Sequence, residues 1–309
     1  MRARLIVNRS ARHLRNEGPL LAALRRPRAG ITVVESTSLD DLDRIAHQVD
    51  EEAVVIAGGD GSYMAGLSAL ARARATLPAI ALAPGGTVST VARNWGLRGD
   101  PVRHADALLD AIAAGTATQT ARPTLRIEDG GAARTGFIFG SGLVARFFEE
   151  YLAAGASGTG TAARIVARVF GGSFVGGALA RKVLEPMRCQ LTTDAGEAPF
   201  DRVSLVCVSV VGDLGLGMRL LYRAAEEPDR FHAVATPLGP FRLGPQMPLV
   251  LAGRPLRGPR VDALTSRLEL AFPEGTGAYV LDGDLFRADR VVVTAGPSFM
   301  QLGIPARRA

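Results

Sequence analysis

The chain has 309 residues, a length that suits two domains better than one. Its hydrophobic share of 47% and charged share of 21% belong to a globular protein rather than a disordered one. An aromatic share of 6% argues against a stacking platform for single strands, so no nucleic-acid partner is expected. The net charge of +6 suits contact with phosphates or anionic lipid, although Lys182 is the only lysine and an arginine-rich bias also arises from base composition.

The N-terminal third alternates short aliphatic runs with longer amphipathic stretches, the rhythm of βαβ units and a parallel sheet. Strands are predicted at residues 4–7, 31–35, 53–57 and 79–83. A helix over 39–49 buries Leu39, Leu42, Ile45 and Ala46 on one face, with Asp40 and Asp41 near its positive end. Another helix is predicted to begin at Ser89. Beyond Arg122 the pattern changes to strands separated by Gly, Pro and Asp turns, at 124–128, 134–139, 188–192, 203–211, 231–235 and 267–271, which predicts a mostly antiparallel β-sandwich second domain. Residues 162–183, rich in Gly, Ala and Phe, predict a helix interrupted at a Gly-Gly pair.

The start of the chain has only the short apolar run Leu5-Ile6-Val7 before Asn8, and the best apolar run, 203–211, is too short to span a bilayer. Cys189 and Cys207 lie in strand-like runs and read as buried thiols of a reducing cytosol. A soluble cytoplasmic protein is expected. The four histidines show no ligand spacing, so no zinc site is expected.

The sharpest motif is the apolar strand Val54-Val55-Ile56-Ala57 emptying into Gly58-Gly59-Asp60-Gly61-Ser62. Glycines let backbone N–H groups approach phosphate closely, and a following helix adds positive potential. The plainer reading is a tight strand-to-helix turn with Asp60 as a cap. Residues 83–97 form a second motif, Ala-Pro-Gly-Gly-Thr-Val-Ser-Thr-Val-Ala-Arg-Asn-Trp-Gly-Leu, and Leu281-Asp282-Gly283-Asp284 forms a third. The third is also a plain Asp-Gly turn on its residues alone.

Together these stretches resemble the diacylglycerol kinase catalytic-domain family of bacterial lipid kinases, related to sphingosine and ceramide kinases and more distantly to NAD kinases. The resemblance implies an α/β nucleotide domain with a parallel sheet over residues 1–122, a β-rich acceptor domain over 123–289, and a return of about 290–309 to the first domain. It implies ATP held by Gly58, Gly59, Asp60, Gly61, Ser62 and Thr87, beside Asn8 and Ser10 in the first turn and Thr37, or Ser36, after the second strand. Asp284 is implied as the catalytic base for a lipid hydroxyl, with Asp282 beside it, and Mg²⁺ is implied as a cofactor, with Asp60 and Asp229 as candidate ligands. The sequence departs from the family pattern at Arg9 (Pro there), Ser89 (Asn) and Asp284 (Glu), and around Asp229 at Tyr222 (Pro) and Arg230 (Gly).

The expected activity is phosphoryl transfer from ATP to diacylglycerol, a sphingoid base or a ceramide. An NAD kinase, or a binding protein of this fold with weakened catalysis, is the alternative. The lipid acceptor implies peripheral contact with the cytoplasmic membrane surface through arginines such as Arg164, Arg168 and Arg181. Residues 162–184 are the expected lipid contact, and pairing with a second copy as a homodimer is a further expectation.

Overall fold

The computed structural model describes residues 1–85, 90–97, 99–155, 158–224 and 226–305. The chain divides into two compact units, Met1–Thr124 together with the segment from Pro297, and Leu125–Gly296.

The first unit runs β1 (Ala3–Asn8), α1 (Pro19–Arg25), β2 (Ile31–Ser36), α2 (Leu39–His47), β3 (Ala53–Gly58), α3 (Asp60–Ala73), β4 (Ala79–Pro84), α4 (Thr90–Asn94), α5 (Pro101–Ala113) and β5 (Thr118–Arg122). The sheet order is β2-β1-β3-β4, followed by Phe299–Gly303 and β5. The first four strands are parallel. Every residue of β3 is buried, as a strand covered on both faces requires, whereas β2 at the edge is more open. One face carries Leu5, Val7, Val55 and Ala57 against Leu21 and Leu24 of α1 and Leu108 and Ile112 of α5. On the other face Gly66 of α3 lies against Ile56, where a Cβ would come within 2.8 Å of its side chain. Helix α2 packs beside α3.

This order has a consequence for binding. The chain leaves β1 for β2 on one side and returns to β3 on the other, so connections turn in opposite directions between β1 and β3. In open parallel sheets ligands collect outside the carboxyl ends of strands at such a switch point. Asn8 ends β1 and Gly58 ends β3.

The C-terminal return is anchored by side chains. Thr124 Oγ1 donates to the Pro297 carbonyl (2.7 Å) and Arg122 Nε to Gln301 Oε1 (2.6 Å). The return starts at Pro297 rather than near residue 290, because Arg290–Ala295 is a fully paired strand of the second unit, between Arg267–Ala271 and Leu125–Glu128.

The second unit has two antiparallel six-stranded sheets. One orders Gly196–Glu197, Gln190–Thr193, Arg267–Ala271, Arg290–Ala295, Leu125–Glu128 and Arg134–Gly136. The other orders Val261–Thr265, Phe231–Thr236, Leu205–Ser209, Ile138–Gly142, Gly277–Leu281 and Asp284–Ala288. Three helices, α6 (Leu143–Ala153), α7 (Thr159–Val175) and α8 (Ala178–Leu184), share a core with the second sheet through Val183, Leu184, Leu205, Cys207 and Val234. The segment expected as one interrupted helix is α7 and α8, broken at Gly176-Gly177, where Gly176 takes the left-handed conformation at φ 66. Among the described residues no single helix is long and apolar enough to cross a membrane; α7 and α8 reach that length only as a pair bent by 101°. Cys189 and Cys207 are buried free thiols, each pushed up to about 12 by burial.

Candidate active site

The switch point is built from short polar side chains at the strand ends. Asn8 accepts the Ser10 N–H on Oδ1 (2.9 Å) and donates from Nδ2 to Ser62 Oγ (2.8 Å). Ser62 Oγ also accepts the Gly59 N–H (3.3 Å), which satisfies a donor at the start of α3. Ser10 Oγ donates to the Thr37 carbonyl (3.0 Å). The Thr37 hydroxyl and N–H both donate to Asp41 Oδ2 (2.6 and 3.1 Å). Those bonds, aided by Arg44, lower Asp41 to about 2. Asn8, Ser10, Thr37 and Ser62 therefore form one connected network across β1, β2 and β3. Ser36 is buried behind it.

The glycine loop works differently from the dihedral argument that its composition invites. Gly59 is extended (φ −102, ψ −174) and Gly61 lies within the first turn of α3, so neither needs a left-handed backbone. The constrained residue is Gly58, where any Cβ would collide with the Ser62 side chain. Gly85 is tight as well, for its Cβ would lie 2.9 Å from Leu14 Cδ1, and its N–H donates to the Gly58 carbonyl (2.7 Å). The glycines keep side chains out of the rim between β3 and β4, beside the start of the 14-residue α3, whose first N–H groups have no partner within the helix.

Asp60 turns its carboxylate to a neighbouring helix. Oδ2 accepts the Thr90 N–H (2.6 Å) and Oδ1 the Val91 N–H (3.2 Å), so Asp60 caps α4 from the first turn of α3. Burial lifts its carboxyl above the usual range, and these two bonds oppose the lift. Thr87, with Gly86 and Ser89, lies outside the described residues.

In the second unit, Asp282-Gly283 is the two-residue turn of a hairpin in which Leu281 pairs with Asp284. Both turn residues have positive φ, 49 and 100, as a type I′ turn demands. Asp282 is occupied by structure: Oδ1 accepts the Ile138 N–H (2.8 Å) and Oδ2 the Phe137 N–H (3.0 Å). Its own N–H donates to the Ile138 carbonyl (2.9 Å). It thereby holds the bend between Arg134–Gly136 and Ile138–Gly142. Gly136 is glycine because a Cβ would approach Asp282 Oδ2 to 2.6 Å.

Asp284 is the opposite case. Among the described residues its carboxylate accepts no hydrogen bond and forms no ion pair, although its backbone pairs with Leu281. Its surface is open to water, yet packed protein on its inner side desolvates the carboxyl and pushes it up. Phe148 of α6 lies beside the turn, within 3.7 Å of where a Gly283 Cβ would stand, and belongs to an aromatic cluster with Phe147 and Tyr151.

The metal expectation finds less support. Asp229 is exposed in a turn whose other acids, Glu226 and Glu227, pair with Arg223 and Arg230. Among the described residues no three His, Cys, Asp or Glu side chains gather to hold an ion. The donors at Asp229 and Asp60 do not fit a dedicated magnesium cage.

Residues 2–120 match the family model of the diacylglycerol kinase catalytic domain. No curated protein matches the sequence. Among solved structures, a diacylglycerol kinase from Bacillus anthracis strain Sterne is 14% identical, with a TM-score of 0.61, and the match covers 98% of this chain and 97% of that one. A second structure from that strain, 16% identical, reaches 0.68 over 98% and 96% of the two chains. An NAD kinase from Archaeoglobus fulgidus in complex with ATP is 14% identical, at 0.50 over 99% and 94%. The resemblance read from the motifs is borne out over the N-terminal unit, and both units have the expected fold class.

Proposed function

With a diacylglycerol kinase catalytic domain matched over residues 2–120 as the premise, we propose that this protein is an ATP-dependent lipid kinase. The observation that carries the reading is the contrast within Asp282-Gly283-Asp284: one carboxylate is consumed by backbone amides and the other is free and raised. A free carboxylate with a raised pKa, held on a rigid strand, is what a general base for a lipid hydroxyl requires.

In this reading the first unit holds ATP, with its phosphates against the start of α3 and the network of Asn8, Ser10, Thr37 and Ser62. The acceptor oxygen attacks the γ-phosphorus, the bond to the β-phosphate oxygen breaks, ADP leaves, and Asp284 takes the hydroxyl proton. The aromatic cluster around Phe148 suits an apolar acceptor such as diacylglycerol, a sphingoid base or a ceramide. Magnesium would enter with the nucleotide, since hard cations of this kind are commonly held by substrate phosphates rather than by protein cages. Because the acceptor belongs to a bilayer, the enzyme would act as a peripheral protein at the cytoplasmic membrane surface.

The test is transfer of labelled phosphate from ATP to a panel of glycerolipid, sphingoid base, ceramide and NAD. A labelled lipid supports the reading. Label on NAD alone would move the assignment to NAD kinase, the activity of the archaeal structural neighbour, and ATP binding without any labelled product would reduce it to a binding protein.

A further inference from the structure

Two stretches of the second unit carry cations without acids of their own. Between Glu150 and Glu185 the chain has no Asp or Glu but contains Arg164, Arg168, Arg181 and Lys182, and between Asp229 and Asp262 it again has none but contains Arg230, Arg242, Arg254, Arg257 and Arg260. Arg164, Arg168, Arg181, Arg242, Arg254 and Arg257 are all exposed, and among the described residues none of the six meets a carboxylate. Lys182, Arg230 and Arg260 pair with Glu150, Glu227 and Asp262, but the six have no such neutralising partner among the described residues, where an ordinary solvated surface mixes both signs.

Large apolar side chains protrude from the same surface. At the end of α7, Phe174 is 56% and Val175 81% exposed, and Phe241 is 58% exposed. Phe241 and Arg181 meet the chain directly after Val175: a Cβ on Gly176 would lie 3.0 Å from Phe241 Cζ and 2.9 Å from Arg181 Nη2. The surface continues through Arg242 to Gln246, whose amide donates to the Arg242 and Arg257 carbonyls (2.8 and 3.1 Å). It then reaches an open cavity of about 420 Å³ lined by Leu249, Arg254, Arg257 and Arg260. Leu251, 49% exposed, stands on the neighbouring helix, Met247–Leu251.

We propose that this face docks on an anionic lipid bilayer, with Phe174, Val175 and Phe241 entering the headgroup boundary, the arginines meeting lipid phosphates, and the Arg254–Arg257 cavity taking a single phosphate headgroup. Apolar tips ringed by cations are the pattern of interfacial membrane binding. A duplex nucleic acid would use the cations but offer Phe174 and Val175 nothing to enter, so the protruding side chains favour lipid. Docking deepens the lipid-kinase reading by naming the surface through which the enzyme reaches its acceptor, and it is measurable without ATP.

The experiment is flotation of the full chain with vesicles of phosphatidylcholine alone or mixed with phosphatidylglycerol, across a salt series. The unmodified protein should float with the anionic vesicles and lose binding as salt rises. Arg168→Glu/Arg254→Glu/Arg257→Glu should weaken binding about a hundredfold or more at low salt. Phe174→Ser/Phe241→Ser should lower binding at every salt concentration without changing the salt slope, and all of these side chains are exposed, so the fold should persist. Equal flotation with neutral and anionic vesicles, or variants that bind like the parent, would overturn the proposal. So would a preference for duplex DNA over vesicles. Phosphoryl transfer to acceptor in detergent micelles reads the kinase alone, so failure of docking and failure of the kinase assignment are told apart.

Discussion

Asn8 Nδ2 lies 2.8 Å from Ser62 Oγ, a bond between residues 54 positions apart that ties the end of β1 to the first turn of α3. It spans the switch point of the sheet, where a nucleotide would lie, and Asn8 is held from behind by the Ser10 N–H. The amide therefore orients the helix start rather than merely decorating it.

Asn8→Ala should cost about 1 kcal/mol for each hydrogen bond lost, and it should also lower ATP affinity because the α3 N-terminus loses its brace. A double-mutant cycle with Ser62→Ala, read by urea denaturation, should give a coupling of ~0.5–1.5 kcal/mol. Additive losses would show that the two side chains do not act together.

Gly58 and Gly61 should respond in opposite senses. Gly58→Ala forces a methyl into Ser62 and should destabilise by about 1–3 kcal/mol. Gly61→Ala lies in regular helix and should stabilise the nucleotide-free protein by ~0.5–1 kcal/mol. If phosphate rests on this turn, Gly61→Val nevertheless abolishes ATP binding in a calorimetric titration while the fold persists. Undiminished affinity would make the loop a turn and nothing more.

The parallel sheet was legible because its strands are almost wholly aliphatic, and the predicted strands at 31–35, 53–57 and 79–83 each fall within a residue of Ile31–Ser36, Ala53–Gly58 and Ala79–Pro84. Helices α1 and α5 were not anticipated, although each opens on a proline that favours a helix start: Pro19 in α1, and Pro101 after the Asp100 cap in α5. The motifs named candidate residues but not their wiring. That Asp60 caps α4 across 30 residues, or that Asp41 holds Thr37, depends on tertiary placement that no local spacing encodes. The special role of Gly58 was likewise hidden, since composition shows which residues lack a side chain and not which neighbour fills the space.

Asp41 predicts a specific acid response. Its folded pKa is depressed to about 2, so its contribution is present above the ordinary carboxylate pKa and is lost as pH falls toward 2. Asp41→Asn should lower thermal stability slightly at neutral pH and make no difference at pH near 2. Because Thr37 is its donor, the same change should weaken ATP binding at neutral pH.

A chelator separates magnesium carried by substrate from magnesium built into the fold. With Asp229 exposed and no gathered ligands among the described residues, EDTA should leave the melting temperature of the nucleotide-free protein unchanged. A fall of several degrees would reinstate a structural metal.

The two acids of the hairpin turn provide the sharpest division between structure and catalysis. Asp282→Asn keeps an excellent type I′ turn, because Asn-Gly suits that geometry as well as Asp-Gly does. What it removes is one of two acceptor oxygens, so either Phe137 N–H or Ile138 N–H faces an amide donor, at a cost of about 1–3 kcal/mol. Asp284→Asn removes no bond among the described residues. Since the folded pKa of Asp284 is raised, its charged form is disfavoured by folding, and any contribution to stability is full below the unfolded value and lost as pH rises through the folded one. The neutral amide should thus melt no lower than the parent at pH 7, while kinase activity falls about 10²–10⁴-fold. In the parent, kcat/KM should rise with pH through an apparent pKa above the ordinary aspartate value of about 3.9, and that limb should vanish in Asp284→Asn. Asp284→Glu, which restores the family's longer carboxylate, should retain or raise turnover. Parental activity in Asp284→Asn, or a larger stability loss there than in Asp282→Asn, would reverse the two roles.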